Sequence, residues 1–134
     1  MTIEEALYSY LKSYAGLSAL VGARIYPLIL PQPATLPAIT YTKISRVGER
    51  VLSGPNPNTI SARFQLSCWA YSYGTAKSVA NQAKLALQDY TGTMGGAGGV
   101  EVLDANSVNE QDFYETDTGI YHVPIDILIL HMSN

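Results

Sequence analysis

At 134 residues, 47% hydrophobic and 14% charged, the chain is one ordinary domain, long enough to bury its own core without staples. Its net charge of −3 excludes a sequence-independent nucleic-acid binder, which needs a dense basic face. The single cysteine, Cys68, excludes an internal disulfide, and one cysteine with two distant histidines makes no zinc pattern.

Thr2 followed by Glu4 and Glu5 is a helix start, a hydroxyl cap with acids in the first turn. Ile3, Leu7, Tyr10, Leu11 and Tyr14 recur at helical spacing, so one stripe of this helix faces the core. Ala15-Gly16 stops it, and Ser18 to Val21 reads as a short helical turn ended by Gly22. Arg24 to Leu30 reads as extended. Pro27, Pro31, Pro33 and Pro37 keep this stretch out of a sheet centre, along an edge or across the surface. Pro37 to Ser45 is a strand rich in β-branched residues and Tyr.

Residues 46–59 carry two Gly, two Pro and two Asn, and predict a long hairpin loop or a mobile arm. Thr59 to Tyr71 is the clearest strand: Ile60, Ala62, Phe64, Leu66 and Cys68 alternate with mostly polar residues. Ser72 to Thr75 turns the chain into a second helix, whose inner stripe of Ala76, Val79, Ala80, Ala83 and Leu87 is small enough to lie close on a sheet. Thr91 to Gly99 is a glycine-rich connector, and Val100 to Leu103 starts another strand. Six acids follow within 101–117, and Asp117-Thr118-Gly119 is a turn. Ile120 to Met132 is the last strand, apolar on both faces at its far end, so that end is covered twice or sits at an interface. The expected fold is α+β: one antiparallel or mixed β-sheet with two α-helices packed on one face. A single domain spans 1–134.

The N-terminus has no basic and apolar leader pattern, and Ile127 to Leu130 is too short to cross a bilayer. These features predict synthesis and folding in a cytoplasm. The low charge fraction has two readings: a compact core under a Tyr-, Ser- and Thr-rich surface, or apolar surface covered by partners.

No catalytic constellation emerges. The glycine cluster at 95–99 lies between a helix and a strand, the reverse of a phosphate cradle. Cys68 shares an apolar strand face and reads as an inert thiol rather than a nucleophile served by His122 or His131. His122 and Asp126 share a strand face but stand about 13 Å apart, too far for a tight pair. The acids at 104, 110, 112, 115 and 117 lack calcium-loop spacing. No cofactor and no metal is expected, and the chain does not read as an enzyme. Two charged regions remain as candidate contact surfaces. One is basic, with Lys43, Arg46, Arg50 and Arg63 beside Glu49. The other is acidic, with Glu110, Asp112 and Glu115. Each reads either as solvated surface or as an interface patch.

Several features in sequence order resemble one family. They are the N-terminal amphipathic helix ending in Leu20-Val21-Gly22, then Ile25-Tyr26-Pro27, and the strand Leu36-Pro37-Ala38-Ile39-Thr40-Tyr41. The strand from Arg63 to Ala70 follows, leading into the alanine-rich helix, and last comes Tyr114 to Tyr121 entering the final strand. This order is similar to that of the tail-completion proteins of long-tailed bacteriophages, also called tail terminators or tail-to-head joining proteins. The resemblance implies a structural virion subunit at the head-tail interface. It implies a homo-oligomeric ring, a hexamer, that caps the tail tube protein and receives a head completion or stopper protein. DNA would pass through such a ring, with no sequence-specific nucleic-acid contact and no membrane. It assigns no catalytic residue. The alternative is a small non-catalytic binding module of a cellular complex.

Overall fold

The structure, a computed structural model, describes residues 1–49 and 59–133. Helix α1 (Ile3–Ser13) opens with a full capping box: Glu5 N–H donates to Thr2 Oγ1 at 3.2 Å, and Thr2 N–H donates to Glu5 Oε1 at 3.0 Å. Such a cap is worth about 1 kcal/mol. Ile3, Ala6, Leu7 and Leu11 are the buried stripe of α1. The chain breaks at Tyr14 and enters α2 (Ala15–Val21), a full second helix where the sequence suggested only a turn. Gly16 lets α3 approach closely there: an added Cβ would lie 2.2 Å from Gln82 Oε1, so that side chain would have to swing aside.

Seven strands follow among the described residues: β1 (Ile25–Pro27), β2 (Ala38–Glu49), β3 (Thr59–Ala70), β4 (Gly92–Met94), β5 (Val100–Glu110), β6 (Phe113–Glu115) and β7 (Ile120–Met132). Helix α3 (Tyr73–Leu87) lies between β3 and β4 in the chain. The strands form one sheet in the order β1-β2-β3-β7-β5-β4, with β6 added alongside β7. Among the described residues, only β1 with β2 is parallel; every other pair is antiparallel.

The centre is the β3–β7 pair. Phe64 faces Ile127, Leu66 faces Ile125 and Cys68 faces Val123, all buried. These residues are the alternating apolar set of the sequence, and the two-residue period sends their neighbours to the opposite face. Against the apolar face lies α3, burying Ala76, Val79, Ala80, Ala83, Ala86 and Leu87. Ser72 caps it through Thr75 N–H. Four alanines on that stripe bring the helix axis close to the sheet, where Leu7, Leu11 and Leu17 complete the same core.

The expected class, one sheet with two helices on one face, is therefore corrected. The chain is β-rich, a curled mixed sheet of seven strands in a half-barrel with three short helices. Three features hid this from a period-2 reading. Strand β5 runs through the supposed acidic loop, but register shifts at 102/104 and 107/109 break its alternation. Strand β4 sits inside the glycine connector, and strand β6 is only three residues long. The shifts in β5, and another at 43/45 in β2, are bulges of the kind that bend a sheet into a curl. The supposed loop at 46–59 is also shorter than expected: β2 holds register to Glu49 opposite Thr59. The middle of the expected arm, 50–58, lies outside the described residues.

Candidate interaction surface

Helix and sheet place the charged candidates among the described residues in different settings. Lys43 faces the core side of β2 opposite Phe64, and its Nζ lies 2.6 Å from Glu4 Oε1 of α1. Arg63 points to the other face of the sheet, where its Nη2 meets Asp126 Oδ2 at 2.7 Å. The basic residues are thus split across two faces. Arg46 is exposed on β2 opposite Ala62 and makes no ion pair among the described residues. Glu49 ends β2 opposite Thr59, and Arg50 lies outside the described residues.

The acids are divided too. Glu110 accepts from both Lys77 and Lys84 of α3. Asp112 accepts from Tyr73 Oη at 2.7 Å and from Lys77 Nζ at 3.2 Å. The two lysines' hydrogen bonds hold the Glu110 carboxyl below its usual range, and the Tyr73 hydroxyl, ahead of Lys77, does the same for Asp112. Their charge is balanced inside the chain. Glu115 on β6 is exposed, and its described side-chain partner is the neutral Thr118 hydroxyl at 3.0 Å. Of the charged candidates, Arg46 and Glu115 are therefore the exposed ones whose charge no described ion pair balances.

The nucleophile and base candidates do not converge. Cys68 is fully buried, and burial pushes its thiol up to about 12. His122 is stacked flat on Trp69, with ring centroids 4.0 Å apart and planes 4° apart, and Phe113 packs at 5.8 Å. Asp126 is bound by Arg63 and by Gln65 Nε2 at 3.2 Å. Among the described residues, no group of three His, Cys, Asp or Glu gathers to hold a metal. No helix of the described residues is long and apolar enough to cross a membrane.

What the surface does offer is apolar. Leu28 and Ile29 are 68% and 75% exposed at the tip that follows β1. Leu28 takes φ +67°, a left-handed conformation costly for a branched side chain. Its N–H donates to Tyr41 O at 2.9 Å, which fixes the tip to β2. A cleft separates this tip from Trp69, Thr118 and Ile120. On the other face of the β6–β7 pair, Tyr114, Tyr121 and Tyr73 form an aromatic band, with Tyr114 and Tyr121 centroids 4.7 Å apart, while Phe113 packs on His122. Sequence reasoning did not single out this surface. Its signal was the run Leu28-Ile29-Leu30 held between Pro27 and Pro31, apolar yet barred from a sheet centre.

Comparison with known proteins matches residues 5–131 to the family described as "Tail completion protein gp17". A solved chain described as "Virion of native gene transfer agent (GTA) particle" shares the fold. Its TM-score is 0.74 at 16% identity, over 98% of this chain and 95% of that one. Among curated proteins, none matches.

Proposed function

The chain belongs to the tail completion protein gp17 family, and on that premise we propose that it closes the finished tail as a ring of identical copies. It is a structural protein of the virion tail. In this reading the ring is a hexamer that caps the tube protein and presents the docking surface for the head completion or stopper protein, with DNA passing through its centre. The family match across nearly the whole chain carries the reading. The fold it shares with a chain of a gene transfer agent particle supports it.

The surface suits such a role. A ring needs two different patches on each copy, so that each contact is head-to-tail and closure ends growth. The aromatic band and the Leu28–Ile29 tip are apolar ground of the kind that partners cover. Interfaces in this reading draw on Lys43, Arg46, Glu49, Arg50, Arg63, Glu110, Asp112 and Glu115, with Arg46 and Glu115 leading because no described ion pair balances their charges.

Electron microscopy of particles assembled without this protein tests the role. Tails of uncontrolled length identify the capping half of the role. Normal tails and filled heads left unjoined identify the docking half. Joined particles with tails of normal length would reject both.

A further inference from the structure

The chain leaves the described residues at Glu49 and returns at Thr59, its cross-strand partner. Between them the sequence runs Arg50-Val51-Leu52-Ser53-Gly54-Pro55-Asn56-Pro57-Asn58. A cation followed at once by two large apolar residues is a poor match for open water. It is a good match for an apolar hollow that also holds an acid.

The cleft beside the Leu28–Ile29 tip is such a hollow. Its volume is about 330 Å³, and Leu28, Ile29, Trp69 and Ile120 give it apolar walls. Glu115 and Thr118 complete the lining. The Thr118 hydroxyl donates to the Glu115 carboxylate at 3.0 Å, and no described cation pairs with that carboxylate. The walls are fixed before anything enters. Trp69 Nε1–H donates to Thr40 Oγ1 at 3.0 Å, His122 stacks on the same indole, and Leu28 N–H ties the tip to β2. A preformed hollow spares an incoming segment the cost of ordering it.

The 50–58 segment cannot fill the cleft of its own chain. Leu52 is three residues past Glu49, so extended chain carries it at most about 11 Å away. The near wall hangs from Tyr41, which stands opposite Leu66, seven residues from Thr59 and about 23 Å along β3. Trp69 lies ten residues from Thr59, about 33 Å along the same strand. An occupant of this sequence therefore comes from another copy.

We infer that Val51 and Leu52 of one copy lodge in the cleft between the Leu28–Ile29 tip and Trp69 of the next, with Arg50 on Glu115. The inference rests on the ring reading and names the contact that joins neighbours. Each copy offers one such segment and one such cleft, so the contact is head-to-tail, as a closing ring requires. Like charges set segment against segment and cleft against cleft, so unlike surfaces meet.

Thiol cross-linking in isolated tails tests the contact. The full-length chain carries Leu52→Cys with Ile29→Cys, the second replacing a strongly exposed side chain and sparing the core. Thr118→Cys in place of Ile29→Cys repeats the test on the opposite wall. Native Cys68 is buried and almost without thiolate. A short thiol–thiol cross-linker should give a ladder of linked copies from dimer to whole ring, and neither cysteine alone should link. Arg50→Glu should cut the linked fraction several-fold, and adding Glu115→Arg to the same chain should restore it. Dimers without a ladder, links confined to one copy, no links from either wall, or no recovery on the double reversal would each overturn the inference. Microscopy of wild-type tails separates this contact from the role it rests on. A closed ring at the tail end beside unlinked variants rejects the contact and leaves the role standing; no ring there rejects both.

Discussion

Arg63 and Asp126 meet across the central strand pair, Nη2 to Oδ2 at 2.7 Å and Nε to the same oxygen at 3.2 Å, on the face of the sheet away from Phe64. Gln65, directly opposite Asp126, donates to the other carboxylate oxygen at 3.2 Å. Asp126 is 7% exposed, so the carboxylate depends on these donors for what water would have supplied. Arg63→Ala should destabilise the chain by about 1–3 kcal/mol, because it strands a nearly buried charge. Replacing both partners, as Arg63→Met with Asp126→Leu, should recover most of that loss. Urea denaturation midpoints of the wild type and the two variants check this; equal losses for the single and double variants would refute it.

The Lys77–Glu110–Lys84 cluster fastens α3 to the end of β5. Its carboxyl is held below the ordinary value of 4.5 by those two lysines, and Asp112 is held below 3.8 by Tyr73 and Lys77. A depressed carboxyl contributes stability that is fully present above the unfolded value and is lost as pH falls through the folded one. Wild-type stability should therefore decline below about pH 4.5. Glu110→Gln should flatten that decline and lower stability at neutral pH. Denaturation midpoints measured across the acid range check it; an unchanged slope in the variant would contradict it.

Both histidines are held below 6.5, mainly by burial. His122 lies against Trp69 and Phe113, with Glu115 as its nearest acid influence. His131 contacts Met132 O through Nδ1 at 2.9 Å, and its Nε2 is buried without a partner among the described residues. The unfolded chain takes up protons near pH 6.5 that the folded chain refuses, so stability should fall as pH drops from that value toward the depressed ones. NMR titration of the two rings should give both pKa values below 6.5. A value at or above the free-imidazole range for either ring would contradict the burial seen here.

Cys68 lies in the core between Ile39 and Val123, and its raised pKa leaves almost no thiolate at neutral pH. The native chain should resist alkylation, and the unfolded chain should react at the rate of a free thiol. Mass-spectrometric labelling with and without denaturant checks this. Fast native labelling would mean that the core opens far more readily than its packing indicates.

The elements legible in the sequence were those whose period survives intact. The stripe in α1, the alternation of Ile60 to Cys68 in β3, the alanine face of α3 and the apolar run of β7 each appear where expected. Strand β5 was obscured because its bulges place Asp104, Asn106 and Asn109 where a regular strand would show alternation. The charged candidates were visible as residues but not as partners. Glu110 finds Lys77 and Lys84, 33 and 26 positions away, and Arg63 finds Asp126 at 63, pairings that only the folded chain creates. The family resemblance was legible because it rests on the order of fold-forming segments. The outline of the site was not, because the walls of its cleft, Leu28 and Ile29 on one side and Trp69 and Ile120 on the other, lie far apart in the chain.

The central claim is that copies of this chain close the tail as one ring at its head-proximal end. Cryo-electron microscopy of isolated tails bearing this protein tests it most directly. The account predicts a single closed ring of copies, the proposed hexamer, seated on the last layer of tube protein, with the chain's fold recognisable in each copy. Copies distributed along the tube, or no density for the chain at that end, would contradict it.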